Sequence, residues 1–295
     1  MDNFLVLDQI CQTQFSTILR CKNKTTKEIV VLKEIYQKKS EEAPSKQVLR
    51  ELLVLMNFEH PHIVKYNSVF VHHSNIVIEM EFCISSLSNV INQISKPFHL
   101  AQVKKIIRSI ATGLKYLHDH DIIHRDIKPG NIFIDENCVV KLGDFGSSRI
   151  LNENIKQATP LVGTKWYKAP EMIFAKKEYD KKVDIWSFGC LIAELFLLEP
   201  LFPGATDFEM VNLIFNFLGF SEDEEEILKP KIKIQYKETP SDIFEKTFDC
   251  ADGEAIDLLK QMICVDPNKR LDIDGVLSHP YLDNEEDYMD VNLPI

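Results

Sequence analysis

The residues with the clearest chemical potential are His124-Arg125-Asp126-Ile127-Lys128-Pro129-Gly130-Asn131 and, thirteen positions after Asn131, Asp144-Phe145-Gly146. Between them, the apolar runs Ile132 to Ile134 and Cys138 to Leu142 flank the turn-rich Asp135-Glu136-Asn137, which predicts a β-hairpin. A hairpin returns the chain to its start, so Asn131 and Asp144 are expected side by side. One amide oxygen and one carboxylate form a hard-oxygen pair suited to Mg²⁺, which keeps some waters and takes its other ligands from substrate phosphates. Asp126 then sits beside a metal–phosphate assembly as the acceptor of a hydroxyl proton, and Lys128 supplies a fixed charge to the transferred phosphoryl group. An Asp-Phe-Gly tripeptide alone is an ordinary turn; the order and spacing of the set give it meaning.

These residues need a scaffold. Phe4 to Ile10, Ile18 to Cys21 and Glu28 to Lys33 read as strands, with Lys22 to Lys27 as the turn between the last two. Val69 to Val71 and Ile76 to Met80 read as another pair joined around Ser74-Asn75. A helix from Ser45 to about Met56 carries Val48, Leu52 and Leu55 on one face. Beyond residue 84 the pattern turns helical. Val103, Ile106, Ile107, Ile110, Leu114 and Leu117 recur at helical spacing, and Ile185 to Leu198 is apolar nearly all round, predicting a buried helix. Thr206 and Glu209 have capping-box spacing ahead of Met210 to Phe220, and a last helix is expected from about Gly253 to Cys264. The acidic stretches Glu222 to Glu226 and Asp283 to Asp290 read as solvated surface.

Composition bounds the function. The chain has 295 residues, 45% of them apolar, and a net charge of −11. Its pI near 5.3 argues against non-specific binding to nucleic acid or anionic membranes. No apolar run reaches the ~20 residues of a membrane span; Glu194 interrupts the nearest, Cys190 to Leu198. Met1-Asp2-Asn3 lacks the basic region of a signal peptide. Seven scattered cysteines without a CxxC pair read as reduced thiols in the cytoplasm, the nucleus or both.

From residues 124 to 146 the chain resembles the catalytic loop and metal-binding motif of the protein kinases, and further landmarks follow in order from Phe4 to Leu282. The resemblance implies an α+β, two-lobed fold. It has a small β-rich N-lobe over residues 1–82, a larger helical C-lobe over 83–284, and an acidic tail over 285–295. It implies ATP and Mg²⁺ as cofactors. Val30-Val31-Leu32-Lys33 resembles the strand bearing the phosphate-binding lysine, and Arg50-Glu51 supplies Glu51 as its carboxylate partner. Ala169-Pro170-Glu171 closes the activation segment, with Glu171 expected to pair with Arg270. By the same resemblance the nucleotide base lies under Ile10 and Ile18, against Val31 and Phe133. Met80 is then the gatekeeper, and the backbone at Glu81 and Cys83 meets the base edge.

Lys128 and Gly163-Thr164 resemble serine/threonine kinases more than tyrosine kinases. Lys165-Trp166-Tyr167-Lys168-Ala169-Pro170-Glu171 resembles the CMGC branch of cyclin-dependent and mitogen-activated kinases, with lysine where arginine is usual at 165 and 168. Pro44 to Glu51 resembles the cyclin-contacting helix lengthened by one residue. Ala158-Thr159-Pro160 lacks the Thr-x-Tyr pair of a mitogen-activated kinase, the third reading considered. Phe82 to Lys104 and Asn292-Leu293-Pro294-Ile295 resemble most the cell cycle-related, kinase-activating-kinase-like members. The implied partners are a protein substrate with Ser or Thr before Pro, a cyclin or cyclin-like activator, and an upstream kinase that phosphorylates Thr159. Arg50, Arg125 and Arg149 are expected to converge on that phosphate.

One landmark departs from the family. Where Gly-x-Gly-x-x-Gly is usual over the phosphates, this chain reads Cys11-Gln12-Thr13-Gln14-Phe15-Ser16. Losing all three glycines predicts a loop that sits higher or stiffer over the nucleotide, with weakened ATP binding and chemistry retained. It also excludes inhibitory phosphorylation at 14 and 15, where Gln and Phe stand. The same feature supports the competing reading of a pseudokinase, a partner-binding scaffold without turnover.

Overall fold

The structure is a computed structural model and describes residues 1–36, 59–151, 165–174, 179–219 and 240–295. The helix expected from Ser45, together with Arg50, Glu51, Thr159, Thr164 and the acidic run at 222–226, lies outside the described residues.

The N-terminal strands assemble as one antiparallel sheet in the order β1-β2-β3-β5-β4, with β1 at Phe4–Gln12, β2 at Ser16–Asn23, β3 at Ile29–Ile35, β4 at Tyr66–His72 and β5 at Asn75–Glu81. Alternation sorts their side chains to two faces. Val30 and Leu32 pack with Cys21 and Val77 into a small outer core closed by Phe4, Leu19 and Phe70. Lys33 pairs across the ladder with Ile18 and Ile78, and Val31 with Arg20 and Met80, so these six share the opposite face. The β2–β3 turn is held by Asn23, whose Oδ1 accepts from the amides of Thr25 (2.9 Å) and Thr26 (3.2 Å). The β4–β5 turn falls on His73-Ser74, one residue before the expected position. Both carry positive φ, 47° and 68°, as a tight two-residue hairpin requires.

The second lobe is built on helices. Ser86 caps α1 (Leu87–Gln93), which the sequence reading did not anticipate, and His99 with Gln102 forms a capping box on α2 (Leu100–Asp119). All six positions predicted from helical spacing on α2 are buried. After α3 (Pro170–Ile173) comes α4 (Lys182–Leu197), buried from Val183 to Phe196 as expected of a helix apolar all round. On α5 (Asp207–Leu218), Thr206 accepts from the Glu209 amide, while Glu209 reaches the amide of Ala205, not Thr206. α6 (Ile243–Thr247), α7 (Gly253–Met262) and α8 (Ile273–Leu277) complete the lobe.

Short strands lie at the junction. β6 (Ser85–Ser86), β8 (Ile132–Ile134) and β9 (Val140–Leu142) form one small sheet; β7 (Ile122–Ile123) pairs with β10 (Arg149–Ile150). The β8–β9 pairing is the hairpin inferred from sequence. The final residues are anchored although their acidic side chains face solvent. Tyr288 and Leu293 are buried, and the carbonyls of Val291 and Asn292 accept from Lys105 and Gln102 on α2, each at 2.8 Å.

Candidate active site

The β8–β9 ladder pairs Ile132 with Leu142, and the Gly143 amide donates to the Asn131 carbonyl at 2.9 Å. Asn131 and Asp144 therefore leave the hairpin from adjoining ends. Gly143 is required there: a Cβ would lie 2.7 Å from the Phe133 ring and 2.9 Å from Val64. Asp144 follows in the left-handed region, φ 58°, which turns its carboxylate out of the β9 line. Phe145 is fully buried against the rings of His124 (5.1 Å) and Tyr66 (6.4 Å).

Lys33 Nζ reaches from β3 to Asp144 Oδ1 at 3.1 Å, joining the two lobes. The Lys33 ammonium holds the Asp144 carboxyl below the ordinary carboxylate range; burial opposes it, and His124 and Lys128 add smaller attractions. A depressed folded-state pKa stabilises the protein above the ordinary carboxylate range and stops doing so as pH falls through the folded value. Asp144 is thus ionised throughout neutral pH.

Asp126, five residues before Asn131, has its side chain a quarter exposed. Lys128 Nζ (2.7 Å) and Asn131 Nδ2 (2.8 Å) both donate to its Oδ2, and Asn131 Nδ2 also donates to the Asp126 carbonyl at 2.8 Å. The Asn131 amide nitrogen is thereby spent, which leaves its oxygen as the group a cation would use. Among the described residues no three His, Cys, Asp or Glu side chains cluster as a metal site. Two hard oxygens beside an open cleft fit Mg²⁺, the ion that relies on phosphate and water for its remaining ligands.

A buried carboxylate missed in the sequence holds this loop. Asp184, fully buried on α4, accepts from the amides of His124 (2.8 Å) and Arg125 (2.7 Å) and contacts His118 Nε2 at 2.9 Å. It lets Arg125 adopt φ 67°. A lone acid inside an apolar run, Val183-Asp184-Ile185-Trp186, was the available signal.

Of the three expected phosphate-binding arginines, two are described and they converge on Tyr179. Arg125 donates to Ser147 O at 2.5 Å and to Tyr179 Oη at 2.8 Å, and the Arg149 guanidinium lies 6.0 Å from the Tyr179 ring centre. The anticipated Glu171–Arg270 pair is bidentate and buried, at 2.6 and 2.9 Å.

The expected nucleotide-base residues line the cleft face of the sheet and the top of β8. Val31 is buried, Ile18, Met80 and Phe133 are partly buried, and Ile10 is 51% exposed. Glu81 is fixed by Lys141 Nζ and by the Lys65 amide, both at 2.6 Å. Burial and the neighbouring Glu81 push the Cys83 thiol up to about 12. At pH 8 only about one Cys83 in ten thousand would be the reactive thiolate. Iodoacetamide is therefore expected to label exposed Cys11 well before Cys83, as peptide mass mapping over time would show; equal rates would contradict this environment.

The β1–β2 loop closes without glycine. Cys11 pairs with Ile18 and Gln12 with Thr17, and the turn between them is tied by Thr13. Gln12 Nε2 reaches Tyr36 Oη at 3.5 Å.

Residues 4–282 match the protein kinase domain. Human cyclin-dependent kinase 20 is 32% identical over 290 residues, covering 95% of this chain and 83% of that protein. Cyclin-dependent kinase G-2 of indica rice is 35% identical over 294 residues, covering 95% of this chain, and mouse cyclin-dependent kinase 11B is 32% identical over 288. The chain spans only 41% and 37% of those two longer relatives. The chain belongs to the protein kinase family, within its cyclin-dependent-kinase-like serine/threonine branch.

Proposed function

We propose that this chain transfers the γ-phosphoryl group of MgATP to Ser or Thr of a protein, preferentially before Pro. In this reading it acts with a cyclin-type partner, after phosphorylation of Thr159 by another kinase, in cell-cycle or related signalling. The observation that carries the reading is the convergence of Lys33, Asp126, Asn131 and Asp144 at the lobe junction. Asn131 and Asp144 would hold Mg²⁺, which would supply positive charge to neutralise the phosphates. Lys33 and Asp144 orient one another, so the ammonium stands ready for phosphate and the carboxylate for cation. Among the described residues both side-chain contacts to the Asp126 carboxylate fall on Oδ2, and Oδ1 is the oxygen proposed to accept the hydroxyl proton. Lys128, resting on Asp126 at 2.7 Å, would supply its charge to the transferred phosphoryl group.

No described helix is long and apolar enough to cross a membrane, and all seven cysteines are free; a reducing compartment, cytoplasm or nucleus, suits that chemistry. Radiolabelled ATP with paired Ser-Pro and Ser-Ala peptides tests the proposal, using chain purified with its native partner and phosphorylated at Thr159. Transfer that favours Ser-Pro is expected. Transfer to neither peptide nor to any co-purified protein would favour the scaffold reading, which the glycine-free loop otherwise supports.

A further inference from the structure

The loop that covers the phosphates in this fold owes its usefulness to backbone amides left free to donate. In this chain two of them, those of Phe15 and Ser16, are occupied. Thr13 Oγ1 accepts from the amides of Phe15 and Ser16, each at 3.1 Å, and lies 3.3 Å from the Ser16 carbonyl, to which it donates. The Thr13 amide donates to the same carbonyl at 2.8 Å. A hydroxyl has one proton and two lone pairs; the proton is within reach of both the Ser16 carbonyl and Ser16 Oγ, each at 3.3 Å, and the two lone pairs serve the two amides. The arrangement is a side-chain-closed turn, in which a threonine oxygen replaces the backbone freedom that glycine would supply. Phe15 is 57% exposed; its carbonyl accepts from the Tyr36 amide at 2.9 Å, and within the turn itself the Thr13 hydroxyl supplies the closing bonds.

We propose that Thr13 is an internal stand-in for a nucleotide phosphate oxygen, and that it sets how strongly the site discriminates phosphorylated from unphosphorylated nucleosides. The inference rests on the MgATP reading of the site. Two donors that would reward a phosphate, the Phe15 and Ser16 amides, are already satisfied within the chain, and a phosphate gains them only by displacing the hydroxyl. Lys33 and the cation pair still favour phosphate, so the preference is reduced, not abolished. Thr13 is a positioning residue: it acts on substrate through the amides of Phe15 and Ser16.

The test compares the ratio of dissociation constants, adenosine over MgATP, in the wild type, Thr13→Val and Thr13→Ser, by calorimetry on the full chain. Valine keeps the β-branched shape but offers no acceptor; serine keeps the acceptor. The ratio is expected to rise about fivefold to tenfold in Thr13→Val, the effect of two released donors, and to stay within twofold in Thr13→Ser, with adenosine affinity unchanged throughout. Amide hydrogen exchange without nucleotide gives a second readout: protection at Phe15 and Ser16 is expected in wild type and Thr13→Ser and lost in Thr13→Val. An unchanged ratio in Thr13→Val, with MgATP still bound, would overturn the proposal and leave the kinase reading standing. MgATP binding by none of the three forms, with folding intact by melting temperature, would overturn that reading and this inference together.

Discussion

Replacing Asp126 with asparagine is expected to lower kcat for phosphoryl transfer by about 10²–10⁴-fold, the range associated with loss of a positioned general base. The substitution is close to isosteric. An asparagine oxygen can still accept from Lys128 and Asn131, whose contacts to Asp126 are 2.7 and 2.8 Å, so the loop has no reason to collapse. What disappears is the negative charge and the second acceptor oxygen, the one left for substrate. On the proposed reading the nucleotide would be held elsewhere, by Lys33, Asp144 and the apolar side chains around Val31. The KM for ATP is accordingly expected to move by less than about threefold while kcat collapses, the signature of an interaction made in the transition state. Steady-state kinetics with the partner present reads both constants. A kcat within a factor of about three of wild type would remove Asp126 from the proton-transfer role. A matched rise in KM would make it a binding residue.

How far the sequence discloses such a site depends on the range of the forces that build it. The Asn131–Asp144 neighbourhood was legible because both lie at the ends of one hairpin, and pairing of adjacent strands is encoded within about a dozen residues. The packing face of α2 was legible for a similar reason, since its six apolar positions repeat within a single helix. Asp184 was not. Its partners lie 59 to 66 residues away, and no periodicity relates an acid on one helix to two amides in a distant loop. The missing glycines were visible, but not what replaced them. That substitution rests on which way one threonine hydroxyl turns, and the string Cys11 to Ser16 does not specify a rotamer. The acidic character of residues 283–290 correctly marked solvated side chains, yet it concealed Tyr288, an apolar anchor buried within that stretch. The pairing of Glu171 with Arg270 came from family resemblance alone, because nothing local connects residues 99 positions apart.

That pair carries the largest expected effect on stability. Arg270 is buried with every donor used: Nε to Cys264 O at 2.7 Å, Nη1 to Glu171 and to Lys182 O, and Nη2 to Glu171 and to Val265 O. Its guanidinium also lies 5.0 Å from the Trp186 ring centre. Arg270→Met keeps the apolar volume and strands the Glu171 carboxylate without a partner, which costs about 3–5 kcal/mol. Scaling unfolding entropy to the length of this chain, that loss lowers the melting temperature by about 5–8 °C. Lysine is no substitute: three donors on a point charge cannot reproduce five in a planar fork, so Arg270→Lys is expected to lose most of the same stability. The double variant Glu171→Met/Arg270→Met separates the two origins of the loss. Removing the stranded carboxylate is expected to recover part of the stability, but not all, because the carbonyls of Cys264, Lys182 and Val265 still lack their donor. A double variant less stable than Arg270→Met alone would mean that the carboxylate finds another partner, and that the pair acts through packing at the start of α3. Recovery to wild-type stability would mean the three carbonyls find water. Only the intermediate result fits a guanidinium that joins α3 to the start of α4 and to the irregular stretch after α7 through all five of its protons.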